Sequence, residues 1–590
     1  MSRRKFLGLT GGVLGAAALG SMAFSGDGWS EEKPSFDVGD MESEDVEVDV
    51  LVIGSGMAGL FAAVKAHDAG AKVMMVSKGR LGSSGQTPFA KGIFVYDAAT
   101  AEYSLDEYVD AVSYSAMGTN NPIYTRQVAE HSKARVQELR EWGFFDSPLY
   151  HKAFSKPIRE RNIPVIERVT ITHLIKEDEK MVGAAGFSID EAKTYFFNAK
   201  SVVLCTGAGG FKPNGFPICD LTHDGTVMAY NIGAKVTGKE WNDGHPGRAK
   251  NAAACFDGWG DMFLQKPNTV GVGIRHDLGV DMNYMAYMSG GAAKMGPPGD
   301  GASKQVAGGP YRPEGIGGEN TRGHERSHPQ NKRPERDSPA GDRPEGGRAA
   351  GAREKEGERK GPPPGMGGNP VGGASAGMAI HKSEGLVPIN DQCESNITGL
   401  FAAGDALGSY MSGAIYTQIG SSLAGSAVQG AIAGEAAAVY SNGIQGLSVS
   451  AKKKKDITSE IQAPLQRTSG YSPAWVTQTL QGIMIPNFVL YIKKESLMRA
   501  ALAYVEELRD HHLPMLKAND LHELRLAHET ANMVISAEMK LKASLMRTES
   551  RCSHYRLDYP EVDHQNWEAW INIYKGEDGS MQLEKQPFKA

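Results

Sequence analysis

The sequence predicts an α/β fold built on a Rossmann-like dinucleotide-binding unit, and three stretches carry that prediction: Val48 to Lys78, Ser201 to Gly210, and Gly399 to Asp405 with the helix that follows it. In the first, the apolar run Val50 to Ile53 reads as a buried strand and meets Gly54-Ser55-Gly56-Met57-Ala58-Gly59. A small-residue helical stretch runs to about Ala69, Gly70 ends it, and a second apolar run follows from Val73 to Val76. This strand, glycine turn, helix and strand make a complete unit, which is far more specific than a lone G-x-G-x-x-G. Gly54 permits the tight turn, Gly56 lets backbone approach a pyrophosphate, and Gly59 lets the helix lie close on the strand. The free N–H groups of the helix start face the phosphates, so Gly54, Gly56, Met57, Ala58 and Gly59 are expected cofactor contacts. In the second stretch Val202, Val203 and Leu204 form a buried-strand pattern and Gly207 to Gly210 give another close backbone approach. In the third, Leu400, Phe401 and Ala402 form a strand ending at Gly404 and Asp405, and Ser422 to Ala438 is a helix of small residues.

Size and composition bound the rest. At 590 residues, two or three domains are expected, and a formal charge of −6 leaves no electrostatic footprint for nucleic acid. Met1-Ser2-Arg3-Arg4-Lys5-Phe6-Leu7-Gly8 and the glycine- and alanine-rich apolar run to about Ala23 read as a twin-arginine export signal over residues 1–26, with Ser21-Met22-Ala23 as a cleavage site. The acidic, polar residues 27–47 read as a linker. Cys205, Cys219, Cys255, Cys393 and Cys552 are scattered and show no metal, haem or cluster spacing, so no metal site is expected and electrons must come from a partner or a soluble donor. Cys205, at a strand end, reads as a packed core thiol.

At the end of the second strand stand Ser77 and Lys78, where an NAD fingerprint would carry Asp or Glu. From there SKGRLGSSGQTPFAKGI resembles the FAD-binding stretch of the fumarate reductase and succinate dehydrogenase flavoproteins, a family that includes L-aspartate oxidase and the adenylylsulfate reductase flavoprotein. SVVLCTGAGG, GLFAAGD with Gly420-Ser421-Ser422-Leu423, and the C-terminal AEMKLKASLMRTESRCSHYRLDYPEVDHQNW are similar to later segments of the same family, the last to its adenylylsulfate reductase type in particular. The matches run in order over about two-thirds of the mature chain. The resemblance implies an FAD-binding domain in two parts, 48–216 and 386–445, an inserted α+β capping domain over 217–385, and a C-terminal helical domain over 446–590. It implies FAD contacts at Ser77, Lys78, Ser84, Gln86, Thr87, Gly92, Thr206, Gly207, Gly404, Asp405, Ser421, Ser422 and Leu423, with Asp405 on the ribityl or ribose hydroxyls. The amides that begin the Ser422 helix would face the pyrimidine edge of the isoalloxazine, a polarity that favours the reduced anion. Relatives that attach FAD covalently use a His where this chain has Gln86; Gln has no nucleophilic ring nitrogen, so non-covalent FAD is expected.

The substrate half departs from the family. Its Gly-Ala-Asn-Arg motif is Gly413-Ala414-Ile415-Tyr416-Thr417-Gln418 here, without the arginine, and a cap histidine is replaced within Gly373-Ala374-Ser375, with His381 several residues late. A simple C4-dicarboxylate substrate is therefore not expected. Glu240, His245 and Arg248 are candidate catalytic residues, with Arg551 from the cationic group Arg547, Arg551, His554 and Arg556. For that group a buried ion-pair network is the favoured reading. The tract 297–368, rich in Gly, Pro, Arg, Glu and Lys, is expected to be disordered. Leu521 to Met546 is expected to be an amphipathic helix, and His511-His512 to satisfy helix-end carbonyls. Together these features point to an exported, periplasmic or envelope FAD-dependent oxidoreductase. It would exchange hydride with an activated small organic substrate and electrons with a separate iron–sulfur, cytochrome or quinone-linked partner. The alternatives are a flavoprotein resembling that of adenylylsulfate reductase and a non-catalytic electron carrier.

Overall fold

The computed structural model describes residues 41–588 with interruptions at 90–92, 100, 102–103, 147–149, 213–217, 219, 415–419, 446–447, 486 and 491. Of residues 243–381 it describes only the backbone of 247–248, 268–269 and 370–371. The signal segment, the tract 297–368, Gly92, His245 and His381 thus lie outside the described residues.

Strand β1 (Glu42–Ile53) carries the architecture. Its second half, Val50 to Val52, is fully buried, as a strand covered on both faces must be. It lies parallel to β2 (Val73–Ser77) on one edge, with Ile53 opposite Val76. The glycine turn leads directly into helix α1 (Met57–Asp68). Beyond β2 lies β3 (Val165–Glu167). Three further strands, β4 (Val169–Glu177), β5 (Lys180–Ser188) and β6 (Lys193–Leu204), form an antiparallel meander. Its first turn, Asp178-Glu179, has φ of 46° and 60°, the two-residue geometry that suits the strand twist. The order across the sheet is β3-β2-β1-β6-β5-β4.

Strand β1 starts at Glu42, inside the stretch read as linker. Residues 42–48 gain a partner that no local pattern announces: they pair with Lys193 to Ala199 of β6. The acidic residues there stay at the surface while Val48 turns inward. Strand β6 in turn pairs with β5 along residues 194–198 and, further on, with the short segment Leu400–Ala402 along 202–204.

Between β6 and that segment come helix α2 (Asp224–Asn231) and two short strands, β7 (Val236–Thr237) and β8 (Gly385–Leu386), which pair with each other. The segment itself is β9 (Leu400–Ala402), and helix α3 (Ser421–Asn442) follows it. Helix α3 lies against α1 closely enough that a Cβ on Gly430 would fall 2.3 Å from the Ala58 carbonyl oxygen, and one on Gly434 would fall 2.2 Å from that of Ala62. Glycine is there for backbone contact between helices.

The C-terminal region has its own core. Helices α4 (Pro473–Met484), α5 (Glu495–Glu507) and α6 (Leu521–Met546) bury Val476, Leu480, Met498, Val505, Val534 and Leu541 together. Helix α6 has the bounds that its apolar periodicity sets. His512 Nδ1 lies 3.2 Å from the Glu507 carbonyl oxygen at the end of α5. The region is not purely helical, however. It ends in a hairpin, β10 (Ala569–Lys575) and β11 (Met581–Pro587), and β10 joins β7 to give a second sheet of order β8-β7-β10-β11. Strand β10 therefore grips the segment that leads into residues 243–381, and through β7 it is linked to β8, which leads out.

Two glycine substitutions should separate packing from propensity. Gly434→Val should destabilise the protein by about 3 kcal/mol through overpacking. Gly482→Ala, where an added Cβ meets nothing within 4 Å on helix α4, should stabilise it by about 1 kcal/mol. Denaturant unfolding of both variants checks the opposite signs.

Candidate functional site

A cavity opens where β1, β2, β6 and β9 end and α1 and α3 begin. Its wall includes Gly54, Gly56, Met57, Ala58, Ser77, Lys78, Ser84, Gln86, Thr87, Thr206, Gly207, Asp405, Ser422 and Leu423. Residues hundreds of positions apart are thus drawn around one space, because parallel strands with helices crossing between them put their carboxyl ends on one rim.

The floor is backbone on backbone. A Cβ on Gly54 would lie 2.2 Å from the Cys205 carbonyl oxygen, and one on Gly59 would lie 2.0 Å from the Gly54 carbonyl oxygen. Gly54 also has φ of 112°, open only to glycine. Gly59 lies behind the lining and brings helix and turn together. Gly56 is different: its added Cβ would meet only Thr87 Oγ1, at 3.2 Å. Gly404 and Ser421 are buried beside the wall and are not among its lining residues.

Two helices start at this cavity without a side-chain cap. Gly56 precedes α1 and Gly420 precedes α3, and neither first turn holds an acidic residue. The Met57 amide donates to Thr87 Oγ1 at 3.1 Å. The positive ends of both helices, one beside the glycine turn and one beside Ser422, suit a ligand with anionic or electron-rich groups at both ends. Thr206 Oγ1 is buried in the wall with no hydrogen-bond partner among the described residues. The glycine cradle, the uncapped helix starts and this orphan hydroxyl together fit a dinucleotide.

Ser77 donates to or accepts from Ser55 across 2.6 Å, so the strand end carries a hydroxyl pair in place of a carboxylate. Lys78 is held by Asp224, which shares the cavity wall, at 2.7 Å, and by Glu529 at 2.9 Å and Thr222 Oγ1 at 3.1 Å. Burial opposes its charge, but Asp224 and Glu529 outweigh that and raise its pKa. Sequence reading named Lys78 without its two acids, because Glu529 comes from α6, far along the chain. Ser84 Oγ donates to the Arg80 carbonyl oxygen at 3.1 Å. Burial pushes the Cys205 thiol up, as for a core thiol. Asp405 forms an ion pair with Lys382, which was not anticipated as a site residue.

The candidate catalytic residues fare differently. Glu240 is fully buried; its Oε1 accepts from Arg547 Nη2 at 2.9 Å and Nε at 3.1 Å, while Oε2 has no partner among the described residues. Arg551 is clamped on Glu549 at 2.8 and 3.1 Å and donates to the Met117 carbonyl oxygen at 3.0 Å, away from the cavity wall. Arg547 also reaches Glu549, at 2.9 Å, and lies 4.5 Å over the Trp241 ring. Arg556 pairs with Asp558 at 2.8 Å. His554 donates from Nε2 to the Arg547 carbonyl oxygen at 3.2 Å, which leaves Nδ1 to accept from Lys493 Nζ at 2.7 Å. Burial and the surrounding cations hold His554 neutral, well below its ordinary pKa. The group is an ion-pair network that fixes Glu240 and Trp241. Of the other candidates, Arg248 is described only as backbone, opposite Pro370 in a short antiparallel pair, and His245 lies outside the described residues.

A second buried cluster lies beside the first. Glu384 accepts from Lys239 at 2.5 Å, Lys540 at 2.8 Å and His223 Nδ1 at 3.1 Å. Lys540 also donates to the carbonyl oxygens of Trp241 and Lys239 and to Asn242 Oδ1, at 3.3 to 3.4 Å. It thereby ties both edges of the 243–381 interval, at Asn242 and at Glu384, to helix α6.

The comparisons with known proteins agree with this geometry. The family described as an FAD binding domain matches residues 49–151, and that described as the fumarate reductase flavoprotein C-terminus matches residues 477–590. The chain is 27% identical to a fumarate reductase (CoM/CoB) polypeptide of Methanothermobacter marburgensis over 88% of its length and 96% of that protein. It is 23% identical to the fumarate reductase flavoprotein of Haemophilus influenzae, over 92% and 94%. Among solved structures, the fold matches adenylylsulfate reductase from Archaeoglobus fulgidus with a TM-score of 0.67 at 20% identity, covering 94% of this chain and 97% of that one. An E. coli quinol fumarate reductase matches with a TM-score of 0.68 at 17% identity, covering 93% and 97%. The dinucleotide is FAD.

Two outcomes follow. Gly54→Ala should abolish flavin retention and soluble folding, whereas Gly56→Ala should fold and bind FAD at least tenfold more weakly, read by flavin fluorescence titration. Stability should also fall in acid. Burial, with Lys239 and Lys540 nearby, pushes His223 down to about 4, only partly opposed by Glu384. The folded protein keeps this ring neutral while the unfolded chain takes up a proton below about 6.5. The contribution of this group is therefore intact above about pH 6.5 and lost as the pH falls toward 4. Melting temperatures across that window should drop, and His223→Asn should flatten the slope.

Proposed function

Because the chain belongs to the flavoprotein family of fumarate reductases and succinate dehydrogenases, which are FAD-dependent oxidoreductases, we propose that it exchanges hydride with an activated small organic substrate after export through the twin-arginine route. Its electrons would come from, or pass to, a separate iron–sulfur, cytochrome or quinone-linked protein. The observation that carries the reading is the meeting of two uncapped helix starts at one cavity, one for a diphosphate and one for the electron-accepting end of the cofactor. Bound FAD supplies hydride transfer.

The chain's own residues supply position and charge. Gly54 and Gly56 admit the diphosphate to the α1 amides, and Lys78 faces the same wall with its charge held by Asp224 and Glu529. The Ser422 end of α3 offers hydrogen-bond donors and the positive helix end where charge develops on reduction. The Arg547–Glu240 pair and Lys540 hold the chain rigid through Asn242, a few residues before His245 and Arg248, the candidates for gripping substrate. The family arginine missing at Gly413 to Gln418 directs the proposal away from simple C4 dicarboxylates.

Dye-coupled reduction with the purified flavoprotein, screened over enoates, enones, fumarate and sulfur oxyanions, tests the reading. Turnover of an enoate or enone, with fumarate poor, is expected; flavin bleaching by sulfite or adenylylsulfate would replace this proposal with an adenylylsulfate-reductase-like one. Turnover of no substrate in the screen would favour an electron carrier. Acid precipitation should release all the flavin to the supernatant, since Gln86 offers no ring nitrogen for a covalent bond.

A further inference from the structure

Lys382 is buried, paired with a carboxylate and held in an uncommon conformation at the edge of the cofactor cavity. Its backbone has φ of 63°, a left-handed conformation that a lysine adopts only where surrounding contacts impose it. Those contacts are present: the Tyr410 amide donates to the Lys382 carbonyl oxygen at 2.7 Å, and Ser383 Oγ donates to the Gly413 carbonyl oxygen. The side chain then runs over the first turns of α3. A Cβ on Gly425 would fall 2.3 Å from Met411 Sδ and 3.1 Å from Lys382 Cε, so glycine at that position makes room for the methionine and for the lysine stem beside it. The ammonium ends between the Asp405 carboxylate, Ser426 Oγ at 3.0 Å and Ser422 Oγ at 3.3 Å. All three partners line the cavity, and the lysine is fully buried behind them.

An ammonium placed here adds to the positive end of α3, where like charges repel, and is tolerated because Asp405 neutralises it. Such an arrangement costs desolvation on both ions and contributes little net stability, which points to a role beyond holding the fold. We propose, building on the FAD-dependent reading above, that Lys382 and Asp405 form an opposed charge pair that sets the reduction potential of the bound flavin, the lysine raising it and the aspartate lowering it. Reduction adds negative charge to the cofactor, so a cation behind Ser422 and Ser426 favours the reduced form over the oxidised one. By linkage, the potential measures the ratio of affinities for the two forms. A contact that merely shaped the pocket would weaken both forms together and leave the potential unchanged.

The test is a spectroelectrochemical titration of the flavin-loaded protein. Lys382→Met should lower the midpoint by about 30 mV or more, a tenfold loss of preference for the reduced form in a two-electron couple. Asp405→Asn should raise it, the double variant should return toward the unsubstituted protein, and Lys382→Arg, which keeps the charge, should stay near it. If Lys382→Met is recovered without flavin, Lys382→Gln decides in the same way. A midpoint unchanged in Lys382→Met or Lys382→Gln, with flavin bound, overturns the charge-pair proposal and leaves the FAD reading intact. A protein that takes up no FAD in any form would instead overturn that earlier reading.

Discussion

Backbone touches backbone at Gly54 and Gly59, and the placement of the cofactor cavity follows from that contact. The carbonyl of Cys205 at the end of β6 and the turn after β1 approach so closely that no side chain fits between them. Their approach sets the floor of the cavity, aims α1 at it, and puts at its N-cap a glycine with no side chain to cap the helix. The same device recurs between helices, where Gly430 and Gly434 of α3 rest on the carbonyl groups of Ala58 and Ala62. With α1 and α3 locked together this way, both of their positive ends open on one space.

A second constraint is electrostatic and belongs to the opposite side of the site. The C-terminal region inserts Lys493, Lys540, Arg547, Arg551 and Arg556, all buried, among Glu240, Glu384 and Glu549. Replacing such a network by well-packed apolar residues is often neutral or stabilising, while removing a single partner is strongly destabilising. Its consequence here is positional. Lys540 and Arg547 grip the chain at Lys239 to Asn242, and Lys540 also grips Glu384, where the chain returns. The hairpin of β10 and β11 reinforces the same joint through β7. The far C-terminus thus fixes the geometry of a segment hundreds of residues earlier.

These two constraints meet at Lys382 and Asp405. One stands where the chain leaves the 243–381 interval, the other just after a sheet strand, and their ion pair joins that exit to the wall of the cofactor cavity. The cavity wall and the C-terminal ion-pair network are therefore reached from neighbouring residues, Lys382 and Glu384, on one short segment.

What depends on local period and on glycine was legible in the residue order. The strand Val50 to Ile53, the turn Gly54 to Gly59, the strand Leu400 to Ala402 and the helix Leu521 to Met546 could each be read from a few residues, because burial on both faces, positive φ and a helical apolar stripe leave direct marks there. Which charges meet became visible only in the folded chain. That Lys78 answers to Glu529, Lys382 to Asp405, Glu240 to Arg547, and Glu384 to two lysines and a histidine left no mark in spacing, since an ion pair needs only that two side chains arrive at one place. The extension of β1 back to Glu42 and the C-terminal hairpin were hidden for a related reason: a strand edge is completed by a partner distant in the chain, and its own residues do not name that partner.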